Sequence, residues 1–391
     1  MPLEAGRILV APDSFKGTLS ASEAAMAMGR GVRRALPVAS VRLFPVSDGG
    51  EGFIDALVPP ARGTREWTEV RGPLPRQRVR ARWALLAQGS TAVIEMAAAS
   101  GLALVGRDER DPCVTSTFGV GELMLSALDR GAGTILVGIG GSATNDGGAG
   151  MASALGVRFL DSSGAVLPQG GSALAGLRRI DASGLDGRLA KTVVTAACDV
   201  RSPLTGPEGA SRVFAPQKGA GPAEVEILEC AMARYADVLR DDLGIDVVSL
   251  PGAGAAGGLG AGLAAFCGAT LESGIDVVLD ATGFDAALSS CDLLLTGEGR
   301  VDAQTRQGKA LAGLLRRAFA ARVPVACVAG SVRGPRTEYT GEKGFIALES
   351  LEDGPGGPER AMNDAARTLE EMTRSMLLTL TARNGAEGPH G

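Results

Sequence analysis

Histidine is almost missing from this sequence. The only histidine is His390, close to the C-terminal end. Imidazole is the side chain that enzymes use most often as a general acid or base. Its scarcity therefore excludes serine–histidine hydrolases and dehydrogenases with a histidine base, and any proton transfer falls to a carboxylate, lysine, tyrosine or cysteine. A structural zinc site is not expected either, because the usual imidazole ligands and paired cysteines are absent.

Aromatic residues and excess positive charge are also scarce. Aromatic residues make up 4% of the chain, and the formal net charge is −5. Nucleic-acid-binding proteins usually carry a basic surface, and those that bind single strands add aromatic platforms for the bases. Neither feature is present, so nucleic acid is not expected as a partner.

Signals for export, disulfide bonding or a membrane span are not found. The six cysteines are scattered without a C-x-x-C pair, which is typical of reduced thiols in the cytoplasm. The sequence reaches its first strand almost at once, without the apolar stretch of a signal peptide. The uncharged run 247–271 is mostly glycine and alanine and contains Pro251, so it predicts a glycine-rich loop and a packed helix. We expect a cytoplasmic protein without a membrane partner.

The pattern that is present predicts two α/β domains. A chain of 391 residues exceeds one typical core. Apolar strands alternate with helices at both ends, whereas residues 61–97 show the alternating texture of antiparallel strands. We therefore expect a Rossmann/flavodoxin-like parallel-sheet domain (1–62 and 285–391). It is interrupted by an inserted mixed α+β domain (63–284), with an active site in the cleft between them.

Several elements can be placed from local signals. Ile8–Val10 predicts a buried strand, and Ser20 with Glu23 has the spacing of a capping box that starts a helix near Ala21. A second strand is expected over Val41–Val46, and a last amphipathic helix over Ala361–Arg383.

Acidic residues follow several of the predicted strands. Ligands of open α/β sheets bind at the carboxyl ends of the strands. Taken singly, each carboxylate is more commonly an exposed turn residue. Together with interleaved cations they indicate a site for a charged substrate and Mg²⁺, which prefers one or two carboxylates plus phosphate oxygens. These residues are Asp13, Asp48, Glu51, Asp199, Glu298 and Asp302, with Lys16, Arg300 and Lys309.

Two glycine-rich segments offer backbone N–H groups to an anion. The segment 138–150 lies between a predicted strand and a predicted helix, a context that favours phosphate. Asp146 within it either holds a metal or caps the helix. The segment "PGAGAAGGLGAG" contains Gly252-x-Gly254-x-x-Gly257, the dinucleotide fingerprint by letter, but Pro251 interrupts the strand that should precede it. It remains a candidate second anion cradle.

Six ordered motifs resemble those of bacterial class I glycerate kinases. They are "VAPDSFKGTLSASEAA", "PVSDGGEG", "GIGGSATNDGGAGMASALG", "CDV…PLTGPEGA…FAPQKGA", "GAGAAGGLGAGL" and "LLLTGEGRVDAQT…GK". The resemblance implies a two-domain α/β enzyme that phosphorylates D-glycerate with ATP, usually at the 2-hydroxyl. Ser202 and Leu311 depart from residues common in the family.

Roles for the candidate residues follow from this chemistry. Asp13, or failing it Asp48, accepts the hydroxyl proton, and Lys16 and Arg300 pair with the substrate carboxylate or the γ-phosphate. Ser14, Glu51 and Arg300 bind substrate, and Asp199 and Asp302 are candidate Mg²⁺ ligands. The predicted nucleotide-phosphate contacts are Gly140, Gly141, Ser142, Thr144, Asn145, Gly257, Gly258 and Lys309. The expected partners are glycerate and ATP, and a homodimer is a candidate assembly.

Four alternatives stay open at this point. The product could be 3-phosphoglycerate, or the substrate another small hydroxy acid. The fingerprint that begins at Gly252 would fit a NAD-dependent hydroxy-acid dehydrogenase, although a histidine base is missing. A non-catalytic organic-acid-binding protein would also fit two lobes, but it would not need the acidic loops.

Overall fold

The computed structural model describes residues 6–50, 52–58, 63–86, 89–302, 305, 310–341 and 344–386. The strands are β1 (Arg7–Val10), β2 (Ser40–Leu43), β3 (Thr64–Arg71), β4 (Arg78–Leu85), β5 (Thr91–Glu95), β6 (Thr134–Gly138), β7 (Arg158–Leu160), β8 (Arg179–Asp181), β9 (Val193–Ala197), β10 (Thr270–Glu272), β11 (Leu293–Thr296), β12 (Arg300–Val301), β13 (Val325–Ala329), β14 (Ser331–Val332) and β15 (Ala347–Ser350). The helices are α1 (Ala21–Ala35), α2 (Phe53–Leu57), α3 (Ala97–Ser100), α4 (Phe118–Asp129), α5 (Ala149–Ala154), α6 (Ala210–Phe214), α7 (Pro222–Leu243), α8 (Ala255–Cys267), α9 (Gly274–Thr282), α10 (Phe284–Leu288), α11 (Ala310–Ala321), α12 (Gly357–Asn363) and α13 (Ala365–Ala386).

Backbone contacts divide the chain into two compact units. The first unit contains Met1–Asp48, Asp55–Pro60 and Val278–Gly391, and the second contains Gly49–Ile54 and Ala61–Val277. The domain boundaries expected from the sequence, after residue 62 and before residue 285, stay a prediction.

The first unit is built on a parallel five-stranded sheet. Its strand order is β15-β13-β11-β1-β2, and every neighbouring pair is parallel. Apart from the exposed Arg7, the three central strands are buried and almost entirely apolar, as expected for a sheet that is covered on both faces. Helices α1 and α13 pack together against this core. The fold class expected from the sequence, an α/β fold with parallel sheets, is confirmed.

Connections in this sheet change direction between β1 and β11. From β1 the chain crosses to β2 on one side, whereas β11 leads to β13 and β15 on the other side. The crevice at such a switch point, outside the carboxyl ends of the strands, is where open α/β sheets bind ligands. The residues after β1 and β11 are therefore the first place to look for a site in this unit.

Local signals placed the first helix correctly. The Ser20 hydroxyl accepts from the Glu23 N–H at 3.2 Å, and the Glu23 carboxylate accepts from the Ser20 N–H at 2.9 Å. This capping box starts α1 at Ala21, as predicted.

Two predicted elements have different bounds. The second strand ends at Leu43, although the N–H groups of Phe44 and Val46 still donate to the carbonyls of Val10 and Pro12. Proline has no N–H group, so Pro12 cannot donate a hydrogen bond to this segment. The regular strand pairing therefore ends there. The last predicted helix is two helices, α12 and α13, because the backbone leaves helical geometry at Asp364 (φ −136°, ψ 45°).

The second unit is built on a mixed six-stranded sheet. Its order is β10-β9-β6-β5-β4-β3, parallel from β10 to β5 and antiparallel from β5 to β3. The antiparallel strands fall in the 61–97 region, as the alternating texture predicts. The parallel strands β5, β6, β9 and β10 all end at one edge of this sheet, which places the loops that follow them together. Among the described residues, helices long and apolar enough to cross a membrane are not found.

Candidate functional site

The loops after β1 and β11 meet in the first unit. The Asp13 N–H donates to the Gly297 carbonyl at 2.8 Å, and the Thr296 hydroxyl donates to the Ala11 carbonyl at 2.8 Å. Gly297 has to be glycine, since a Cβ there would lie 2.3 Å from the Val328 carbonyl oxygen. The two loops thus hold each other at the switch point of the sheet.

Asp13 is a buried carboxylate at this junction. It is 6% exposed, and its Oδ1 accepts the Ser14 N–H at 2.6 Å. Burial, reinforced by the negative charge of Asp48, raises the pKa of Asp13 from 3.8 to about 7, against the opposing effects of the Ser14 N–H and of Lys16. A carboxyl group that titrates near neutral pH can accept a proton during a reaction.

Lys16 and Asp48 lie beside this carboxylate. The Lys16 Nζ atom is 3.8 Å from Asp48 Oδ2, and the Lys16 side chain is 81% exposed. Both charges act on the pKa of Asp13, so the structure brings together the three residues that the sequence predicts as catalytic.

A second acidic loop follows β11. Glu298 is 9% exposed, and its Oε1 accepts the Thr305 hydroxyl at 3.0 Å. Thr305 in turn accepts the Asp302 N–H at 3.0 Å. Arg300 begins β12 and is exposed. The predicted site residues Glu51 and Lys309 lie outside the described residues.

In the second unit, the loop after β6 presents unused backbone donors. Within the described part of the chain, the N–H groups of Gly140, Gly141 and Ser142 donate to no other group. The segment is nevertheless fixed, because the Leu102 N–H donates to the Gly141 carbonyl at 2.9 Å and Gly101 forms a β-bridge with Ser142. A fixed loop with free N–H groups is suited to an anion.

Thr144 and Asn145 lie behind that loop. Both side chains are 0% exposed, and the Asn145 amide donates to the Ser211 hydroxyl at 3.1 Å. Asn145 Oδ1 and Thr144 Oγ1 are buried without a hydrogen-bond partner among the described residues. These two side chains shape the loop from within, and in this structure they do not face solvent.

The second glycine segment packs on the same loop. Gly257 and Gly258 have positive φ angles inside α8, and both are buried. A Cβ on Gly257 would lie 2.0 Å from the Thr144 carbonyl oxygen. The structure therefore brings together the two glycine segments that the sequence proposed separately, although Gly257 and Gly258 act as packing surfaces.

The dinucleotide fingerprint does not have the structural context that it needs. Among the described residues, the segment before Gly252 contains turns rather than a strand. A glycine fingerprint indicates a dinucleotide only directly after a strand. The prediction that the match is weak evidence for NAD therefore agrees with the geometry.

Asp146 acts as a cap. Its carboxylate accepts the Thr117 N–H at 2.8 Å, the Thr117 hydroxyl at 2.9 Å, and the N–H groups of Gly148 and Gly150 at 3.1 and 3.2 Å. Of the two roles that the sequence left open, these contacts favour the cap.

Sequence reasoning missed Lys218. It follows α6, is 2% exposed, and its Nζ donates to the Ser142 hydroxyl oxygen and to the Thr144 carbonyl, both at 2.7 Å. Burial lowers the pKa of Lys218 to about 7, with Asp146 opposing that shift. The motif "FAPQKGA" contained the residue, but no local pattern reveals that a lysine is buried.

Asp199 lies at the carboxyl end of β9 in the second unit. Its Oδ1 accepts the Gly274 N–H at 2.9 Å and the Ser273 hydroxyl at 3.1 Å. Within the described ranges, clusters of three or more histidine, cysteine or acidic residues arranged for a metal are not found.

The parallel strands of both sheets carry polar loops at their carboxyl ends, which is where enzymes of the α/β class bind their ligands. The chain belongs to the glycerate kinase family, whose sequence profile matches residues 8–381.

Relatives resemble the chain over nearly its whole length. It is 47% identical over 375 residues to the glycerate kinase of Bacillus subtilis (strain 168), covering 96% of this chain and 97% of that protein. It is 45% identical over 377 residues to the glycerate 2-kinase of Escherichia coli (strain K12), covering 96% and 98%. The crystal structure of a Salmonella typhimurium LT2 protein that carries the provisional name glycerate kinase 2 matches with a TM-score of 0.87 and 46% identity, covering 97% of this chain and 100% of that chain.

Proposed function

We propose that this protein transfers the γ-phosphoryl group of ATP to the 2-hydroxyl group of D-glycerate, giving 2-phosphoglycerate and ADP. Membership of the glycerate kinase family and relatives named glycerate kinase and glycerate 2-kinase support the reaction and its product. Glycerate kinases are ATP-dependent, which identifies the phosphoryl donor. The cytoplasm as compartment and a homodimer as assembly stay predictions.

Asp13 is the proposed general base, and its environment is the observation on which the mechanism depends. A general base works best when its pKa lies near the operating pH. The pKa of Asp13 is raised to about 7 by burial and by Asp48. In this mechanism the carboxylate takes the hydroxyl proton of glycerate as the oxygen attacks the γ-phosphorus.

Nearby cations and hydroxyls are proposed to bind the substrate. Glycerate carries a carboxylate, and phosphoryl transfer concentrates negative charge on the γ-phosphate oxygens. Lys16, with an exposed ammonium group, lies in the loop after β1, and Arg300 begins the short strand β12. We propose that Lys16 and Arg300 bind the carboxylate or the γ-phosphate. Ser14 is a further proposed contact to glycerate.

The loop after β6 is proposed to bind nucleotide phosphates. Gly140, Gly141 and Ser142 supply the N–H groups that donate to nothing else in the described part of the chain. Thr144, Asn145, Gly257 and Gly258 support the loop from within. This refines the assignment from sequence, in which all seven residues contact phosphate directly.

Mg²⁺ is the proposed cofactor. Mg²⁺ in kinases is usually held by one or two carboxylates, waters and substrate phosphates rather than by an all-protein cage. Asp199 and Asp302 are the proposed ligands from this chain, and waters and substrate phosphates would supply the remaining oxygens. When bound, the ion neutralises phosphate charge.

The direct test uses purified protein with D-glycerate, ATP and Mg²⁺. ADP release is followed by a coupled assay, and the product is identified by phosphorus NMR. Phosphorus in 2-phosphoglycerate couples to one proton on the adjacent carbon, whereas in 3-phosphoglycerate it couples to two. Release of ADP with the single-proton pattern supports the proposal. The two-proton pattern would contradict the 2-hydroxyl assignment, and NAD reduction without ADP release would identify a dehydrogenase instead.

A further inference from the structure

The loop after β6 is held from beneath by a buried charge. Lys218 comes from the segment after α6, 76 residues along the chain from Ser142, and it is almost fully buried. Burying an ammonium group is costly unless its protons are hydrogen-bonded. Two of the three are, to the Ser142 hydroxyl oxygen and to the Thr144 carbonyl, each at 2.7 Å.

This contact decides what the Ser142 hydroxyl can do. In its charged form Lys218 only donates, so Ser142 Oγ must then accept from it. The single hydroxyl proton of Ser142 then has to be donated elsewhere, and within the described ranges it has no acceptor. The neighbouring N–H groups of Gly140 and Gly141 likewise have no acceptor within the described ranges.

We propose that Lys218 is a positioning residue for nucleotide phosphate: it fixes the Ser142 hydroxyl as a donor toward the phosphate and places a positive charge behind the loop. This inference rests on the proposed function of the same loop. Unused donors in a fixed loop, together with a buried cation that is hydrogen-bonded to the same loop, bind an anion more strongly than either feature alone.

Proton linkage gives the inference a second, independent consequence. The pKa of Lys218 is lowered to about 7 by burial, so above neutral pH the free protein carries this lysine largely neutral. A phosphate anion at the loop favours the ammonium form, and binding must then take up a proton.

A double-mutant cycle tests whether Lys218 acts through Ser142. Ser142→Ala, Lys218→Met and the double variant are compared in kcat/KM for ATP and in KM for glycerate. Each single variant is expected to lose about tenfold to a hundredfold in kcat/KM for ATP, the usual cost of a hydrogen bond to a charged group. The double variant should lose little more than Lys218→Met alone. Losses that multiply, or that appear only in KM for glycerate, would overturn the inference.

Calorimetry supplies a measurement that a merely structural role would not change. Binding of Mg·ADP at pH 8 is measured in buffers of different ionisation enthalpy, for the wild type and Lys218→Met. We expect proton uptake by the wild type and none by the variant. Equal uptake by both proteins would contradict the proposal.

Controls separate this inference from folding defects and from failure of the proposed function. The matched controls are Lys191→Met, an exposed lysine, and Ser126→Ala, whose hydroxyl bonds within α4; both should behave as the wild type. If Lys218→Met does not fold, Ser142→Ala still tests the hydroxyl: unchanged kcat/KM for ATP and affinity for Mg·ADP overturn the inference. If the wild type binds Mg·ADP with proton uptake but does not phosphorylate glycerate, the proposed function fails while this inference stands.

Discussion

The Gly147 N–H donates to the carbonyl oxygen of Gly257 at 3.0 Å, which joins two glycine segments that are 110 residues apart in sequence. The contact is close enough that the backbone of Gly257 faces Thr144 without room for a side chain. The shape of the loop after β6 therefore depends on a helix from a distant part of the chain.

Gly257→Ala should destabilise the protein and disrupt this loop. The added Cβ would lie 2.0 Å from the Thr144 carbonyl oxygen, and the φ of +68° is unfavourable for alanine. The backbone conformation alone costs about 1–2 kcal/mol, and the clash adds to it. Urea unfolding measures the change, with Gly187→Ala as control because a Cβ there meets nothing within 4 Å. Equal loss of stability in the two variants would contradict this account of the packing.

The activity of the wild type should depend on the protonation of Asp13. Its pKa is about 7, so kcat/KM for glycerate is expected to rise with pH and to level off above neutral pH. Asp48 raises this pKa, and Lys16 lowers it. Asp48→Asn should therefore move the acid limb of the profile to lower pH, and Lys16→Met should move it to higher pH. Shifts in the same direction, or an unmoved limb, would show that another group controls the profile.

Asp13→Asn should stabilise the fold at alkaline pH. The pKa of Asp13 is 3.8 in its ordinary environment and about 7 in the folded protein, so between these values the folded state binds more protons than the unfolded state. The contribution of Asp13 to stability is complete below pH 3.8 and is lost as pH rises through 7. Asparagine does not ionise, so Asp13→Asn should avoid this loss of stability. The loss is on the order of 1–4 kcal/mol, because each tenfold change in a protonation constant corresponds to about 1.4 kcal/mol.

Urea unfolding of the wild type and Asp13→Asn at pH 4 and pH 8 checks the sign. The variant should be the more stable protein at pH 8, and the difference should shrink toward pH 4. A difference that does not depend on pH would mean that the buried carboxylate is not the titrating group.

The sequence predicts what short-range interactions determine. Ser20 and Glu23 are three residues apart, and their capping box starts α1 where it was expected. The apolar strands with acidic residues at their ends likewise follow from patterns within a few residues. These local signals were enough to place Asp13, Lys16 and Asp48 in one proposed site.

Long-range contacts account for what could not be predicted. Thr117 stands at the N-cap position of α4, but its hydroxyl bonds to Asp146, 29 residues away. Lys218 contacts Ser142, which is 76 residues away in sequence. The sequence alone does not distinguish a buried lysine from an exposed one. Thr144 and Asn145 were predicted to face phosphate because they are polar, and only the packing of Gly257 against them shows why they are buried.

The most direct test of the mechanism is the rate of phosphoryl transfer by Asp13→Asn, measured in a single turnover with saturating ATP and D-glycerate. Loss of a general base typically costs about 10²–10⁴ in rate, so the variant should bind both substrates and transfer the phosphoryl group at least about a hundredfold more slowly at pH 8. A correctly folded Asp13→Asn protein that transfers it at the wild-type rate would contradict the central role of this carboxylate.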